Sequence, residues 1–144
     1  MTLGVYILII GFAAGFIELF ILIWFSSREK EKWQRFSKIF AGISTLFIAI
    51  ALVLLTRYFL MDDFSFTYVV EHSKADSPFL IKLSGVWSGQ EGSLLLWAVL
   101  VSFFAFLYKS GQKKVDEPRD VQLSYLVLAI VNLVFILFVL LDSP

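Results

Sequence analysis

The fold is decided by long apolar runs, of which the first reads LGVYILIIGFAAGFIELFILIWF over residues 3–25. This run contains a single charged side chain, that of Glu18. The hydrocarbon core of a bilayer is about 30 Å thick, and roughly 20 apolar residues in a helix cross it. Residues 3–25 therefore predict a transmembrane helix. The lack of a basic leader and the length of the apolar run argue against a signal peptide.

Three further runs have the same character, at about residues 39–60, 92–108 and 121–141. The 144-residue chain is 59% apolar and 17% charged, with a mean hydropathy of +0.84. Soluble domains are typically about 45–50% apolar and about 25% charged. Lipid offers no hydrogen-bond partner to a bare backbone amide, so each run must be helical where it crosses. We therefore predict a single all-α integral membrane domain over residues 1–144, with four transmembrane helices and one longer loop.

The distribution of lysine and arginine predicts the orientation of these helices, since both residues collect in cytoplasmic connections. The connections at residues 26–38 and 109–120 carry most of them, namely Arg28, Lys30, Lys32, Arg35, Lys38, Lys109, Lys113, Lys114 and Arg119. The longer loop, at about residues 61–91, is acidic instead, with five carboxylates and two lysines. This pattern places the longer loop and both termini on the extracytoplasmic side of the cell membrane.

The composition also excludes several classes of function. The chain has no cysteine and a single histidine, His72, so alone it cannot form a disulfide, a thiolate site or a multi-histidine metal site. Twelve basic and twelve acidic side chains give a formal net charge of zero, which argues against binding of nucleic acid. Because His72 lies in a polar stretch, we expect its side chain to be solvated rather than to bind a metal.

Two charged side chains fall within the predicted spans. A carboxylate at the depth of Glu18 is costly and normally faces protein or water. We expect it to be protonated or hydrogen-bonded and to help two helices pack, and the alternative is a proton or cation relay. Arg57 lies near the end of the second span and is expected to extend to the headgroups, with binding of an anion as the alternative. The other polar groups within the spans are uncharged: Ser44, Thr45, Ser102 and Asn132.

Small residues in the first span predict a packing face. Gly4, Gly11 and Gly15 recur at helical intervals, and Gly11 and Gly15 form a GxxxG pattern. Such a face lets a second helix approach closely. Because glycine is also common in membrane helices in general, the pattern does not indicate which helix packs there.

The longer loop has local structure of its own. Alternation of large apolar and small polar residues over residues 64–68 is typical of an extended segment. Ser77 and Pro78 suit the N-cap and the first position of a helix. Residues 79–83 would then form a short helix lying in the headgroup layer. The expected loop is therefore extracytoplasmic and contains a short interfacial helix.

The third span opens with WSGQEGSLLLW at residues 87–97. Ser88 and Glu91 fit the S-x-x-E capping box. If the helix is continuous, Trp87 and Trp97 lie on roughly one side and could form a wall for a flat apolar ligand; anchoring at the membrane interface is the alternative. Three glycines would let the backbone approach another group closely: Gly85, Gly89 and Gly92.

Two stretches of the loop resemble segments of a known family. DFSFTYV at residues 63–69 is similar to the DF-x-x-x-YV segment of CcmF, the membrane subunit of bacterial and archaeal cytochrome c haem lyases. WSGQEGSLLLW at residues 87–97 resembles the family's WG-x-x-EGSLLLW run. The four spans and the outward loop also agree with the start of that family. The chain therefore resembles the N-terminal part of CcmF.

The resemblance implies a role in cytochrome c maturation. The family presents a b-type haem outside the membrane and attaches it covalently to apocytochrome c. Its tryptophan-rich haem-handling segment and its haem-ligating histidines have no counterpart within this chain. The resemblance thus implies the N-terminal, non-catalytic subunit of a split haem lyase, with haem held mainly by a partner that carries the C-terminal portion. A shortened form of one longer chain is the alternative, and further cytochrome c maturation subunits are expected partners.

The same resemblance suggests a haem- or partner-facing surface made of Trp87, Gln90, Glu91, Ser93 and Trp97. Gln90 stands where many family members have histidine, and Ser88 where glycine is usual. No residue is predicted to be catalytic. Two alternative functions remain open: a structural four-helix subunit of another membrane complex, and a small ion- or proton-carrying subunit built around Glu18.

Overall fold

The computed structural model describes residues 3–24, 30–111 and 119–142, which form six helices. The helices are α1 (Leu3–Trp24), α2 (Lys30–Leu60), α3 (Thr67–His72), α4 (Phe79–Gly85), α5 (Gln90–Gly111) and α6 (Arg119–Asp142). The four long ones are each long and apolar enough to cross a membrane. The predicted fold class, an all-α multi-pass membrane protein with four spanning helices, is confirmed.

The spanning helices form a bundle in which α1 and α5 both lie against α2 and α6. All four contribute to its apolar interior, whose buried residues are Leu8, Ile48, Ala51, Leu95, Ala98, Ile136 and Val139. The outward faces are apolar as well, with exposed side chains such as Phe16, Val53 and Phe104. A helix that is apolar all round is what a lipid environment requires.

The glycine face of α1 is a packing face, as predicted. A Cβ atom at Gly11 would lie 3.3 Å from Ile48 Cγ1 in α2, and one at Gly15 would lie 3.2 Å from Leu133 Cδ2 in α6. The hydroxyl of Ser44 donates a hydrogen bond to the Gly11 carbonyl over 2.9 Å, which only closely spaced backbones allow. The structure therefore identifies α2 and α6 as the helices that approach this face.

A layer of uncharged polar groups connects the other helices. Thr45 Oγ1 donates to the Ser102 carbonyl over 3.2 Å, joining α2 to α5. Ser102 Oγ lies 2.5 Å from Asn132 Oδ1, joining α5 to α6. Ser102 and Asn132 are both buried. Hydrogen bonds of this kind stabilise helix association where lipid leaves no other partner.

Two long helices extend beyond the predicted spans. α2 begins at Lys30 rather than near residue 39, because the polar stretch that precedes the apolar run continues the same helix. α5 ends at Gly111 rather than near residue 108, so it includes Lys109, which the sequence had placed in a connection. The basic residues Arg28, Lys113 and Lys114 lie outside the described residues.

Two local predictions in the longer loop are wrong. Residues 64–68 are not extended: residues 64 and 65 form a turn and α3 begins at Thr67. The cause is Asp63, whose Oδ1 accepts hydrogen bonds from the backbone amide of Ser65 (3.2 Å) and from its hydroxyl (2.5 Å). Ser77 is not the N-cap of α4; Pro78 occupies that position with extended backbone angles and no side-chain capping bond.

Candidate functional site

Residues 61–89, here called the cap segment, fold against one end of the bundle. Their core is formed by Tyr68, Val69 and Val86 together with Phe59 at the end of α2. Phe59, Val69 and Val86 have no exposed surface, and the rings of Phe59 and Tyr68 meet edge to face with centroids 5.4 Å apart. Burial of these four side chains holds the two short helices in place on the bundle.

The hydroxyl of Tyr68 joins α3 to the start of α5. It donates to the Val86 carbonyl over 3.0 Å and accepts from the Gly89 amide over 3.1 Å. Both backbone groups belong to the turn that leads into α5, where helical bonding cannot satisfy them. Tyr68 therefore fixes where and in which direction the third spanning helix begins.

The glycines of this region allow the close approach that the sequence predicted. A Cβ atom at Gly92 would overlap the Val86 carbonyl oxygen and lie 2.6 Å from the Tyr68 hydroxyl. One at Gly89 would lie 2.6 Å from the Tyr68 ring. The groups that the glycines approach belong to this chain itself, so these glycines are explained by internal packing of the cap segment.

His72 is not the solvated side chain that we expected. It is half-buried, and its ring lies on that of Tyr68 with centroids 4.5 Å apart. Its Nδ1 lies 3.0 Å from the Tyr68 carbonyl oxygen. A carbonyl only accepts, so Nδ1 is the protonated nitrogen. Within the described residues, no group of three or more histidine or carboxylate side chains could hold a metal ion.

The predicted capping box of α5 is wrong. The helix begins at Gln90, and the amide of Ser93 donates to the Gly89 carbonyl, so Gly89 rather than Ser88 is the N-cap. The Ser88 hydroxyl donates to the Gly85 carbonyl over 2.9 Å instead. The Ser93 hydroxyl donates to the Trp87 carbonyl over 2.8 Å and ties the preceding turn to the first turn of α5.

The five predicted site residues lie close in sequence but differ in exposure. The side chains of Trp87, Gln90 and Trp97 are exposed, with exposed fractions of 42% and 57% for the two tryptophans. Trp87 precedes α5, so the continuous helix that would align it with Trp97 is not present. Glu91 is half-buried and faces a groove in the bundle, which neither tryptophan lines.

That groove is an apolar cavity of about 110 Å³ in the half of the bundle nearest the cap segment. Its walls include Val5, Leu8, Leu55 and Val139, and Glu91 and Tyr68 lie at its cap end. Sites for drug-sized ligands hold about 300–1,000 Å³. The groove is therefore too small to enclose a haem, and the single imidazole of the chain provides at most one axial ligand. These residues do not fit a complete haem site.

Arg57 lies at the surface, as expected. Its Nε donates to the sulfur of Met61 over 3.1 Å. The shallow depression that it borders is also lined by Asp62 and Asp63, whose carboxylates oppose binding of an anion there. Lys82 forms an ion pair with Asp62 over 2.5 Å and connects α4 to the end of α2.

At the opposite end of the bundle, Glu18 forms a buried ion pair that the sequence analysis missed. The ammonium group of Lys109 donates to Glu18 and to the hydroxyl of Ser37, the latter over 2.8 Å. It also lies 5.2 Å from the centroid of the Tyr125 ring. Each spanning helix thus contributes one group to this cluster, here called the buried ion-pair cluster. The expectation of a hydrogen-bonded carboxyl that helps helices pack is confirmed.

The periodicity of α5 could have predicted that Lys109 is buried. Ala98, Ser102 and Lys109 recur at helical intervals and are all buried on the inner face of α5. Extending that face by two turns beyond Ser102 reaches Lys109. This prediction was not made, because Lys109 was counted among the basic residues of the cytoplasmic connection.

Burial of Tyr68 also makes the cap segment less stable at alkaline pH. Burial disfavours the phenolate and raises the pKa of Tyr68, which outweighs the hydrogen bonds from Gly89 and Gly92. In the unfolded chain a tyrosine ionises near pH 10. The contribution of the neutral phenol is therefore complete below about pH 10 and is lost as the pH rises above it.

We expect Tyr68→Phe to lower the free energy of unfolding by about 1–3 kcal/mol at neutral pH, because two buried backbone groups lose their partner. Unfolding measured in detergent on both sides of pH 10 checks this. The variant should lose less stability than the wild type above pH 10. An equally steep alkaline loss in both proteins would contradict the role given to Tyr68.

No family model matches the chain, but curated relatives do. The cytochrome c-type biogenesis protein CcmF of Escherichia coli strain K12 is 30% identical over 122 residues, which cover 84% of this chain and 18% of that protein. The protein of the same name from Pseudomonas aeruginosa is 33% identical over 119 residues, covering 81% of this chain and 18% of that protein. The chain thus spans about one fifth of the length of these relatives.

A solved structure shares the fold. The chain described as "Cytochrome c Heme Lyase CcmF" aligns with a TM-score of 0.83 and 23% identity, over 94% of this chain and 23% of that one. The four spanning helices and the cap segment together make up most of the aligned length. By its sequence similarity over four fifths of its length, the chain belongs to the CcmF family of cytochrome c-type biogenesis proteins.

Proposed function

We propose that the chain acts in cytochrome c maturation as the N-terminal subunit of a split haem lyase. The observation that carries this proposal is the similarity to CcmF over more than 80% of this chain. The remaining parts of the fold would come from a second polypeptide. Other maturation subunits and apocytochrome c would be further partners.

In this proposal a b-type haem is held mainly by the partner. When bound, haem supplies the vinyl groups that become joined to the cysteine thiols of apocytochrome c. The present chain has one histidine and a groove that is too small for a haem, so it contributes a surface rather than a complete pocket. We therefore assign it an assisting role in presenting haem, without catalytic residues of its own.

The proposed orientation places the cap segment outside the cytoplasmic membrane, together with both termini. It is supported by the acidic balance of the cap segment and by the basic residues near the other end of the bundle, among them Lys32, Arg35 and Lys38. Haem attachment to apocytochrome c takes place outside the membrane, so this orientation brings the exposed tryptophans to the correct side.

We propose that the partner binds a surface of this chain that consists of Trp87, Gln90 and Trp97, with Ser93 and Glu91 beside it. Exposed tryptophans are enriched among the residues that contribute most to protein interfaces. The backbone that carries them is held by buried contacts of Tyr68 and Gly92 just below. Exposed aromatic side chains before α5 and within its first turns suit a partner that carries haem.

The test is to restore cytochrome c assembly in cells that lack this chain but contain the rest of the haem lyase. Wild-type chain should restore covalent haem staining of c-type cytochromes and should co-purify with the completing polypeptide. We expect Trp87→Ala/Trp97→Ala to reduce both by about tenfold or more, since interface tryptophans commonly contribute over 1 kcal/mol each.

The matched control is Phe104→Ala, which removes a comparably exposed aromatic side chain from α5 farther from the cap segment. It should leave assembly unchanged. Full cytochrome c assembly without the chain would count against the proposed function. A stable complex with unrelated membrane subunits, and none with the completing polypeptide, would favour the structural-subunit alternative.

A further inference from the structure

The short helix α4, which lies outside the spanning helices, presents apolar side chains outward. Phe79, Leu80 and Ile81 are 61%, 74% and 57% exposed. Successive residues of an α-helix are about 100° apart, so these three side chains together span about 200° of the helix circumference. A contiguous apolar surface of this kind marks a contact with a membrane or with another protein.

The charged residue of α4 is turned inward. Lys82 is the only charged residue of this helix, and its side chain is 12% exposed because its ammonium pairs with Asp62 over 2.5 Å. A short helix at a surface that faces water normally turns its lysine outward and its apolar residues inward. In α4 this arrangement is reversed, which indicates that the medium around its outer face is apolar.

α4 lies at the level where the second spanning helix ends. The spanning part of α2 reaches Leu60, and the carboxylate of Asp62, two residues later, holds α4 through the ion pair. A Cβ atom at Gly85 would lie 2.9 Å from the ring of Phe59, so the end of α4 touches the last turn of α2. The exposed side chains of Leu60 and Met61 continue the apolar outer face of α2 to this level. The end of a spanning helix lies where the acyl chains meet the headgroups.

We propose that α4 inserts into the lipid leaflet next to the cap segment, with Phe79, Leu80 and Ile81 among the acyl chains and with Lys82 held away from them by Asp62. Continuity with the apolar outer face of α2 favours lipid over a protein partner. The sequence alone predicts a helix in the headgroup layer, and the inward lysine extends this to contact with the acyl chains. The contact requires only lipid, so it does not depend on the proposed function.

The experiment uses the absence of cysteine, because a single introduced cysteine then carries the only spin label. Leu80→Cys is labelled in the purified full-length chain and reconstituted into vesicles of phosphatidylethanolamine and phosphatidylglycerol. Electron paramagnetic resonance compares collisions of the label with oxygen, which concentrates in lipid, and with a water-soluble nickel chelate present on both sides of the membrane. We expect collisions mainly with oxygen, at a depth of about 5–10 Å into the boundary between headgroups and acyl chains.

Two labelled controls define the lipid and the water environment. Val53→Cys, at an exposed apolar position of α2, should collide mainly with oxygen. Ala75→Cys, in the polar turn between α3 and α4, should collide mainly with the nickel chelate. A label at Leu80 that behaves like the one at Ala75 would overturn the proposal. A label that neither reagent reaches would also overturn it, because a second copy of the chain would then cover α4. Phe79→Cys must give the same result as Leu80→Cys and replaces it if that variant misfolds.

The ion pair is tested separately with the label at Leu80. Asp62→Asn keeps the size of the side chain but removes the charge that holds Lys82. Because the released ammonium must reach water, the label should move toward the headgroups, with more collisions with the chelate and fewer with oxygen. Asp76→Asn removes an exposed carboxylate of the polar turn and should leave both unchanged. Unchanged collisions in Asp62→Asn would refute the role given to the ion pair.

Discussion

Replacing Lys109 with methionine is expected to lower the free energy of unfolding by about 3–5 kcal/mol, because it leaves the buried carboxylate of Glu18 without its counter-charge. Lys109 and Glu18 are only 2% and 5% exposed, so water cannot compensate for the loss. The measurement is unfolding of the purified chain in detergent or bilayer discs, followed by circular dichroism. Lys74→Met, which removes an exposed lysine of the cap segment, should change the free energy by no more than about 0.5 kcal/mol.

The double variant Glu18→Leu/Lys109→Met distinguishes a structural role of the ion pair from a relay function of Glu18. Replacing both members of a buried ion pair by apolar side chains is often neutral or stabilising. We expect it to recover most of the stability that the single variant loses. If it also supports cytochrome c assembly, the proton- or cation-relay reading of Glu18 is excluded. A Lys109→Met protein as stable as the wild type would show that the ion pair does not hold the helices together.

Gly92→Ala should be the most damaging single change at the cap end of the bundle. The added methyl group would overlap the Val86 carbonyl oxygen and crowd the Tyr68 hydroxyl at 2.6 Å. Neither the backbone nor the engaged hydroxyl moves freely, so the start of α5 must shift. Overpacking of this kind typically costs about 1–3 kcal/mol and occasionally more. We expect lower stability, together with a loss of cytochrome c assembly under the proposed function.

The control for this prediction lies in the same helix. A Cβ atom at Gly111 meets nothing within 4 Å, so Gly111→Ala should change the free energy of unfolding by less than about 1 kcal/mol. Gly15→Ala is an intermediate case, because its Cβ would lie 3.2 Å from a leucine methyl that can give way. Equal stability of the Gly92→Ala and Gly111→Ala proteins would refute the close packing of the α5 start.

The resemblance to a family and the physical properties of the residues predicted different features of the site. The motif at residues 87–97 identified the family, which the comparisons confirm. It did not reveal that the motif is divided in space. Trp87 and Trp97 are exposed, whereas Gly92 and Leu95 are buried in the bundle and Glu91 faces the groove. The division follows from helical geometry, with α5 beginning at Gln90 and Gly89 rather than Ser88 as its N-cap.

The errors within the cap segment share one physical cause. Residues 64–68, Ser77 and Ser88 were assigned from local patterns alone. In the structure Asp63 accepts hydrogen bonds from Ser65 and forms a turn there, and the Ser88 hydroxyl donates to the Gly85 carbonyl instead of capping α5. His72 was expected to be solvated for the same reason, since its polar neighbours in sequence do not reveal that its ring lies on Tyr68.

The number of spanning helices and their approximate positions were determined by the sequence, because bilayer thickness sets their length and lipid permits no unpaired backbone. The glycines of α1 and of the α5 start could likewise be read as sites of close approach. Only the tertiary structure decided which groups meet there. Lys109 pairs with Glu18, and Tyr68 bonds to the turn at Val86, because the bundle brings together residues whose separation along the chain carries no signal of contact.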